Sequence, residues 1–280
     1  MSQHETDTIK SVSRETRKFP PSPEFVAKAR LRDPAEYKRL YDRSVSDPDG
    51  FWGDMARSEL AWTKPFSKVK SGEVPWVKWF DDGETNVSVN CLDRHLATRG
   101  DKPAIVWIGE PGDEKTLTWK QLHAEVCRFA AGLQKLGVER GDRVAIYMPM
   151  VPEAAIAMLA CTRIGATHTV VFGGFSAEAL RDRINDCAAK VVITADGGLR
   201  RGKVVPLKLN VDAALAHTPS IKTCIVLART GENVPMTPGR DVRWDDVVAG
   251  QPTNLPAASL PAEHPLFILY TSGTTGKPKG

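Results

Sequence analysis

The sequence lacks any apolar run that approaches the roughly 18 residues of a membrane-spanning helix. Its polar N-terminus also lacks the short basic region and apolar stretch of a secretory signal peptide. Neither sign of charge dominates the sequence, because the formal net charge is only +4 and basic residues form no long run. These absences argue against membrane and nucleic-acid partners and predict a cytoplasmic protein. The mild positive balance suits anionic small molecules without requiring one.

Cysteine and histidine are few and poorly spaced for metal binding. The five cysteines are unevenly spread, and three lie in apolar patterns, so we predict reduced core thiols rather than disulfides or metal ligands. The six histidines show neither the i, i+4 spacing of a zinc protease nor cysteine partners at zinc-finger spacing. The sequence therefore gives no reason to assign a metal site.

From about residue 91 the chain alternates apolar strands with helical patterns. Strands are predicted at 104–108, 116–118, 143–147, 168–172, 191–194 and 224–227. Helices are predicted from about 122 to a stop at Gly137, and over 152–164, 177–187 and 204–216. Repeated strand–helix units of this length favour an α/β fold with layered parallel sheets and helices on both faces.

The first 90 residues are less regular. Residues 1–30 are polar and contain several prolines, so we expect a disordered or loosely draped arm. Asp33 as N-cap and Pro34 as first helical residue predict the start of a helix. The remaining helical or irregular segment contains four tryptophans, Trp52, Trp62, Trp76 and Trp79. We expect them to pack onto a larger body, rather than to form a stacking surface for carbohydrate or nucleic acid.

The last eleven residues, Tyr-Thr-Ser-Gly-Thr-Thr-Gly-Lys-Pro-Lys-Gly at 270–280, are the most informative. They follow the apolar run 266–269, which is predicted to be a buried strand, and α/β sheets place ligands where strands end. This composition is suited to binding a polyphosphate. Glycines let backbone N–H groups turn inward, several hydroxyls can donate hydrogen bonds, and Lys277 and Lys279 supply positive charge.

This terminal loop does not have the spacing of a Walker A motif. Only two residues separate Gly273 from Gly276, and Pro278 follows Lys277 where that motif requires Ser or Thr. A P-loop NTPase is thereby excluded. A polar connector rich in Gly, Ser and Thr remains the structural alternative to a phosphate site.

Two further loops leave the same edge of the predicted sheet. The run 172–175, Phe-Gly-Gly-Phe, joins a strand to a helix that Ser176 would cap; a tight turn alone would also explain its glycines. The run 197–203 carries three cations in four positions and is either an anion site or a solvated basic loop. One ligand could contact both loops.

Several strings resemble AMP-forming acetyl-CoA synthetases, a family of acyl-adenylate-forming enzymes. Besides the terminal loop they are 51–53, 90–95, 126–130, 144–155, 172–176 and 193–196. The resemblance runs from about residue 36 to Gly280. It implies that 31–90 is the N-terminal segment typical of this family, and that 91–280 is the first part of an AMP-binding adenylation domain that stops at the phosphate loop.

The resemblance also implies the chemistry and the site residues. In this family a carboxylate attacks the α-phosphate of ATP, and the thiol of CoA then displaces AMP from the acyl-adenylate. The implied substrates are acetate, CoA and ATP with Mg²⁺. The ATP phosphates would bind Thr271, Ser272, Gly273, Thr274, Thr275, Gly276 and Lys277. CoA would bind Phe172, Gly173, Gly174, Arg200, Arg201, Gly202 and Lys203.

One departure and several absences qualify the resemblance. Lys203 stands where relatives often carry Arg, so the charge is kept and the bidentate fork is lost. The resemblance places the catalytic residues, the acyl pocket and the Mg²⁺ ligand beyond Gly280, so we expect acetate–CoA ligase activity of a full-length protein and none of this chain alone.

Two alternatives stay open: a propionyl- or other short-chain acyl-CoA synthetase, and a non-catalytic nucleotide- or CoA-binding module. Acyl specificity and oligomeric state are not predicted.

Overall fold

A computed structural model describes residues 17–271 and 279–280. It divides into two compact units, Met1–Asp54 and Met55–Gly280. In the first unit lie α1 (Pro23–Lys28), α2 (Pro34–Ser46) and the beginning of α3 (Pro48–Glu59). The predicted start of α2 is confirmed, because the Asp33 carboxylate accepts the N–H of Ala35 and Pro34 follows it. Helix α1 lies within the stretch that was predicted to be a disordered or draped arm.

The second unit begins with short elements and two hairpins. These elements are β1 (Lys70–Ser71), β2 (Lys78–Trp79), β3 (Glu84–Thr85), α4 (Val87–Cys91), a 3₁₀ turn (Asp93–His95), α5 (Leu96–Arg99), β4 (Pro103–Ile108) and β5 (Glu114–Thr118). Strands β4 and β5 contain the two strands predicted at 104–108 and 116–118, and they pair antiparallel as a hairpin. The expectation of packed tryptophans holds for Trp62, whose ring lies 4.9 Å from that of Phe66. It is wrong for Trp76, which is 84% exposed at the β1–β2 hairpin, and Trp52 and Trp79 are also exposed, at 48% and 36%.

The remaining elements build the central sheet and its helices. They are α6 (Trp119–Lys135), β6 (Arg143–Tyr147), α7 (Pro152–Ile164), β7 (Thr167–Val170), α8 (Ala177–Cys187), β8 (Val191–Ala195), β9 (Gly198–Arg200), β10 (Lys203–Val205), α9 (Leu207–Leu215), β11 (Thr223–Leu227), β12 (Asp241–Arg243), α10 (Trp244–Val248), β13 (Leu260–Pro261) and β14 (Phe267–Ile268). Six of the strands form one sheet in the order β12-β11-β8-β6-β7-β14, and all neighbouring pairs are parallel. The predicted α/β class is confirmed.

Helices cover both faces of this sheet. Consecutive residues of β8, over Val191–Ala195, are all buried, which requires cover on each side of the strand. Helix α6 contacts both α7 and α10, and α8 contacts α9. The rings of Phe129 and Trp244 stack at 3.8 Å between centroids and join α6 to α10. The carboxyl ends of the strands are thus held on a rigid, close-packed layer.

Two predicted elements differ from those observed. The helix predicted over 204–216 begins only at Leu207, because Lys203–Val205 pairs with Gly198–Arg200 as an antiparallel hairpin. The strand predicted as buried at 266–269 is Phe267–Ile268, and its burial is wrong: Phe267 is 54% and Leu269 66% exposed. Within the described residues β14 pairs with β7 only. This apolar strand therefore lies at the edge of the sheet, and its other edge is unpaired among those residues.

A buried ionic network fastens α7 to the segment before the sheet. The side chain of Arg163 is 1% exposed, and its guanidinium donates to both carboxylate oxygens of Asp93 at 2.9 Å. It also donates to Ser88 Oγ at 3.1 Å and, through Nε, to the carbonyl oxygen of Leu255 at 2.7 Å. Because the charge is paired and its donors are occupied, burial of this arginine is tolerated.

His123 completes this network and gives it a pH dependence. Its Nε2 lies 3.3 Å from Asp93 Oδ1, and Cys127 Sγ lies 3.6 Å away on the same helix. The hydrogen bond to Asp93, with a smaller contribution from Cys127, raises the pKa of His123 to about 9. Burial opposes ionisation of Asp93, but Arg163 and His123 outweigh it and hold the pKa of that carboxyl well below its ordinary value.

We expect the free energy of unfolding to fall by about 1–3 kcal/mol between pH 6.5 and 9.5. A group whose folded-state pKa is raised stabilises fully below its unfolded pKa, and this contribution is lost as pH rises through about 9. Urea denaturation across this range should show the loss in the wild type and a much smaller slope in His123→Gln. His217→Gln, at an exposed histidine, is the matched control and should behave as wild type. A slope that persists in His123→Gln would contradict the assignment.

Candidate functional site

The glycine turn, Phe172–Phe175, leaves the carboxyl end of β7 and leads into α8. Ser176 caps that helix by accepting the N–H of Ala179 at 3.3 Å, as predicted. A Cβ on Gly174 would lie 2.5 Å from Arg200 Nη1 and 2.6 Å from a ring carbon of Phe172. Glycine at this position therefore allows a guanidinium and an aromatic ring to close over the backbone.

The predicted basic loop is a β-hairpin, formed by β9 and β10 around a two-residue turn. The turn residues Arg201 and Gly202 have φ of +53° and +71°, and positive φ at both positions is typical of the type I′ turn. Arg200 and Lys203 are direct cross-strand partners. Like charges placed opposite one another are unfavourable unless an anion lies between or near them. We name this element the basic hairpin, Gly198–Val205.

The structure brings the glycine turn and the basic hairpin together. The guanidinium carbon of Arg200 lies 5.1 Å from the centroid of the Phe172 ring. Beside them opens a cleft of about 550 Å³, a volume within the usual range for small-molecule sites. Its apolar walls include Trp107, Met148, Phe172, Leu199, Leu207 and Leu269. An aromatic face, adjacent cations and an apolar cleft suit a ligand with a flat ring and phosphate groups.

Tyr147 holds the glycine turn through its hydroxyl group. The sequence alone did not predict this role. Tyr147 is buried at the carboxyl end of β6, and its hydroxyl donates to the carbonyl oxygen of Phe175 at 2.7 Å. The side-chain amide of Asn210 donates to the same hydroxyl at 3.3 Å, which links the turn to α9. Burial raises the pKa of Tyr147, so the phenol keeps its proton and stays a donor. Its place within a family-like string was the only available clue.

Asp196 organises the loops at the end of β8. Its carboxylate, in a residue 2% exposed, accepts the backbone N–H groups of Gly197, Arg229, Thr230 and Gly231 at 2.7–3.0 Å. Burial opposes ionisation, but these N–H groups outweigh it and lower the pKa of Asp196. The loop after β11 is thereby fixed against the end of β8.

The described residues include the two ends of the terminal loop but only the first residue of the predicted phosphate-binding run 271–277. Thr271 is described, whereas Ser272, Gly273, Thr274, Thr275, Gly276 and Lys277 lie outside the described residues. The N–H of Thr271 donates to the carbonyl oxygen of Lys279 at 2.9 Å, and the reverse hydrogen bond is 3.2 Å. These two hydrogen bonds bring the ends of the loop side by side.

Arg183 connects the beginning of this loop with the glycine turn. Its guanidinium carbon lies 4.7 Å from the centroid of the Phe175 ring and 5.5 Å from that of Tyr270. The hydroxyl of Tyr270 donates to the carboxylate of Asp186, on the same helix, at 2.6 Å. Helix α8 therefore contacts two of the three predicted ligand-binding loops, the glycine turn and the terminal loop.

Metal-binding and membrane features are not found in the part of the chain that the structure describes. Residues 17–271 and 279–280 contain no cluster of three or more His, Cys, Asp or Glu side chains arranged for a metal ion. Over the same residues no helix combines the length and apolarity needed to cross a bilayer. The cysteines are all free thiols; four are buried, whereas Cys91 is exposed, so the prediction of core thiols is wrong for that residue.

Two family models match the chain. The model described as AMP-binding enzyme covers residues 92–280, and the model described as acetyl-coenzyme A synthetase N-terminus covers residues 37–91. Together they account for the two regions in which the sequence strings resembled acetyl-CoA synthetases.

Curated relatives and a solved structure agree with these matches. The acetyl-coenzyme A synthetase of Syntrophus aciditrophicus (strain SB) is 52% identical over 264 residues, which are 93% of this chain and 41% of that protein. The Vibrio cholerae protein of the same name is 57% identical over 252 residues, 87% of this chain and 38% of its own length. The structure of acetoacetyl-CoA synthetase from Streptomyces lividans is similar at a TM-score of 0.83 and 29% identity, over 92% of this chain and 42% of that one. The chain thus spans about two fifths of the length of these proteins.

Proposed function

The chain belongs to the family of AMP-binding enzymes, and from this premise we propose that the whole protein is an acetate–CoA ligase of which these residues form the N-terminal portion. Two observations outside the site support the proposal: the match of residues 37–91 to the acetyl-coenzyme A synthetase N-terminus, and the identity with proteins of that name. Within the site, the observation that carries it is the guanidinium of Arg200 over the Phe172 ring beside the glycine turn.

The proposed reaction has two steps. An acetate oxygen attacks the α-phosphorus of MgATP, and the bond to pyrophosphate breaks, which gives acetyl-adenylate. The CoA thiolate then attacks the acetyl carbonyl carbon, and the carbon–oxygen bond to AMP breaks. Residues 271–277 would hold the β- and γ-phosphates and offset the charge that develops on the leaving pyrophosphate.

The CoA-binding residues contribute to the second step by position and charge. Phe172 offers a ring face for the adenine of CoA, and Gly173 and Gly174 let the nucleotide approach the backbone. Arg200, Arg201 and Lys203 supply positive charge for the phosphate groups of CoA, and Gly202 completes the turn between them. The lysine provides a point charge rather than a bidentate fork.

A propionyl- or other short-chain acyl-CoA synthetase is the alternative of the same class, and a panel of carboxylates assayed with the full-length protein separates the two. A non-catalytic CoA- or nucleotide-binding module would bind ligand and convert none of these substrates. The cytoplasmic location and the division at residues 30 and 90 stay predictions from the sequence.

The two ligand sites can be tested in separate half-reactions of the full-length protein. We expect Lys277→Ala to lower acetate-dependent ATP–pyrophosphate exchange by about 100-fold or more, because it removes charge stabilisation of the leaving group. Arg200→Ala should leave this exchange intact and raise the KM for CoA by about 10-fold, as loss of one charge-assisted hydrogen bond predicts.

Lys120→Ala, at an exposed lysine on α6 that pairs with the exposed Asp101, serves as the control and should change neither half-reaction. The 280-residue chain by itself should form no AMP from acetate and ATP. Unchanged exchange in Lys277→Ala would overturn the assignment of the phosphate loop. Acetate-dependent AMP formation by the isolated chain would overturn the expectation that the catalytic residues lie outside it.

A further inference from the structure

We propose that Glu110 is a positioning residue of the CoA site: its carboxylate holds the Arg201–Gly202 turn and thereby fixes Arg200 and Lys203 for the phosphate groups of CoA. The inference rests on the proposed function and extends it to an element far away in the sequence. Glu110 lies in the loop between β4 and β5, and no motif in the sequence marked it.

The contact is a hydrogen bond to the backbone of the turn. The N–H of Gly202 donates to Glu110 Oε1. In a two-residue hairpin the second turn residue has no partner in the β-ladder, so its N–H must find another acceptor or water. Arg201 occupies the left-handed region at φ +53°, which is unfavourable for residues other than glycine. Glu110 satisfies the free donor of a turn that is otherwise held by three residue pairs of a short ladder.

The loop that carries Glu110 is itself anchored. Inside it, the N–H of Gly109 donates to the carbonyl oxygen of Asp113 at 2.7 Å. The Asp113 carboxylate pairs with the guanidinium of Arg229 in two hydrogen bonds of 2.7 and 3.1 Å. Arg229 also lies 4.9 Å from the centroid of the Trp107 ring, and its backbone N–H is held by Asp196. A chain of contacts thus runs from the end of β8 to the carboxylate of Glu110.

Gly109 leaves room for the ion pair of Asp113 and Arg229. A Cβ at this position would lie 2.0 Å from Asp113 Oδ1 and 2.8 Å from Arg229 Nη2, so a side chain here would displace the pair. The loop is therefore shaped to bring its two carboxylates to two different partners, Arg229 and the basic hairpin.

The negative charge of Glu110 and its hydrogen bond predict effects of opposite sign. As a charge it would repel phosphate groups, and its removal would tighten CoA binding. As a clamp it orders the cations, and its removal would weaken binding. Because Glu110 is exposed, salt screens its charge, whereas the hydrogen bond acts at contact distance. We expect the clamp to dominate.

The test compares Glu110→Ala with Glu110→Gln in the full-length protein. The alanine variant should raise the KM for CoA about 5-fold, with unchanged kcat, KM for MgATP and melting temperature, because one charge-assisted hydrogen bond is lost. The glutamine variant keeps an acceptor oxygen and should restore the wild-type KM. Glu114→Ala, at an exposed position on the same hairpin, is the control and should have no effect.

Two results would overturn the proposal. A lower KM for CoA in both Glu110 variants would show that the charge acts by repulsion, and an unchanged KM in Glu110→Ala would show that the hydrogen bond positions nothing. Arg200→Ala measured in parallel separates the levels of failure. If Arg200→Ala raises the KM for CoA and Glu110→Ala does not, only the clamp is wrong; if neither does, the CoA site itself is wrong.

Discussion

Replacing Arg163 by methionine is expected to lower the free energy of unfolding by about 3–5 kcal/mol. The substitution keeps most of the apolar stem and removes a guanidinium that is bonded to both oxygens of Asp93. The carboxylate would then remain partly buried, and among the described residues His123 would be its remaining charged partner. Ser88 Oγ and the carbonyl oxygen of Leu255 would also lose a donor. Urea denaturation at pH 7 measures the effect.

A matched surface pair provides the control for this experiment. Arg128, on α6, pairs with Glu125 one turn earlier, and their side chains are 38% and 33% exposed. Arg128→Met should therefore cost no more than about 1 kcal/mol. The double variant Arg163→Met/Asp93→Leu should recover part of the loss, because no unpaired charge is left inside. A loss below about 1 kcal/mol for Arg163→Met would show that the network contributes little.

Replacing Gly174 by valine is expected to raise the KM for CoA by at least about 10-fold in the full-length protein, equivalent to roughly 1.4 kcal/mol of binding free energy. A Cβ at this position would meet Arg200 Nη1 at 2.5 Å and the Phe172 ring at 2.6 Å. Both groups are the ends of exposed, adaptable side chains, so the fold should tolerate the change while the stacked pair is displaced.

The separation of binding from folding makes this prediction testable. Gly174→Ala should give a smaller increase in KM than Gly174→Val, and both variants should keep the wild-type melting temperature and ATP–pyrophosphate exchange. A valine variant that binds CoA as the wild type does would remove the glycine turn from the proposed site. Loss of exchange together with CoA binding would instead indicate a general structural defect.

Much of the framework could be predicted because it depends on neighbours in the sequence. The apolar pattern over 143–147 and 224–227 predicted strands that the structure contains with at most one residue added. Pro34 and Pro152 marked helix beginnings, and Ser176 marked a cap, since each acts on backbone groups within one helical turn. The phosphate-loop residues 272–277 stay a prediction.

The basic hairpin shows where sequence reasoning reached its limit. The two valines at 204 and 205 continue the apolar pattern of the following helix, so the strand Lys203–Val205 was hidden within a predicted helix. Its pairing partner precedes it across a turn whose first residue is arginine, not the Asn or Gly that usually marks such a turn. The sequence shows the cations at 200, 201 and 203 directly, but not that they lie on a β-hairpin, and their role in binding CoA stays a prediction.

The sequence by itself determined the strand–helix alternation, the helix caps and the positions of glycine and positive charge, because these follow from periodicity and from backbone chemistry within a few residues. Only the tertiary structure decided which distant groups meet. Glu110 reaches a turn 92 positions away, and Arg163 finds Asp93 70 positions earlier. Such pairs produce no periodic pattern in the sequence. The distance between their side chains is set by the order of the strands in the sheet and by the positions of the loops at its edge.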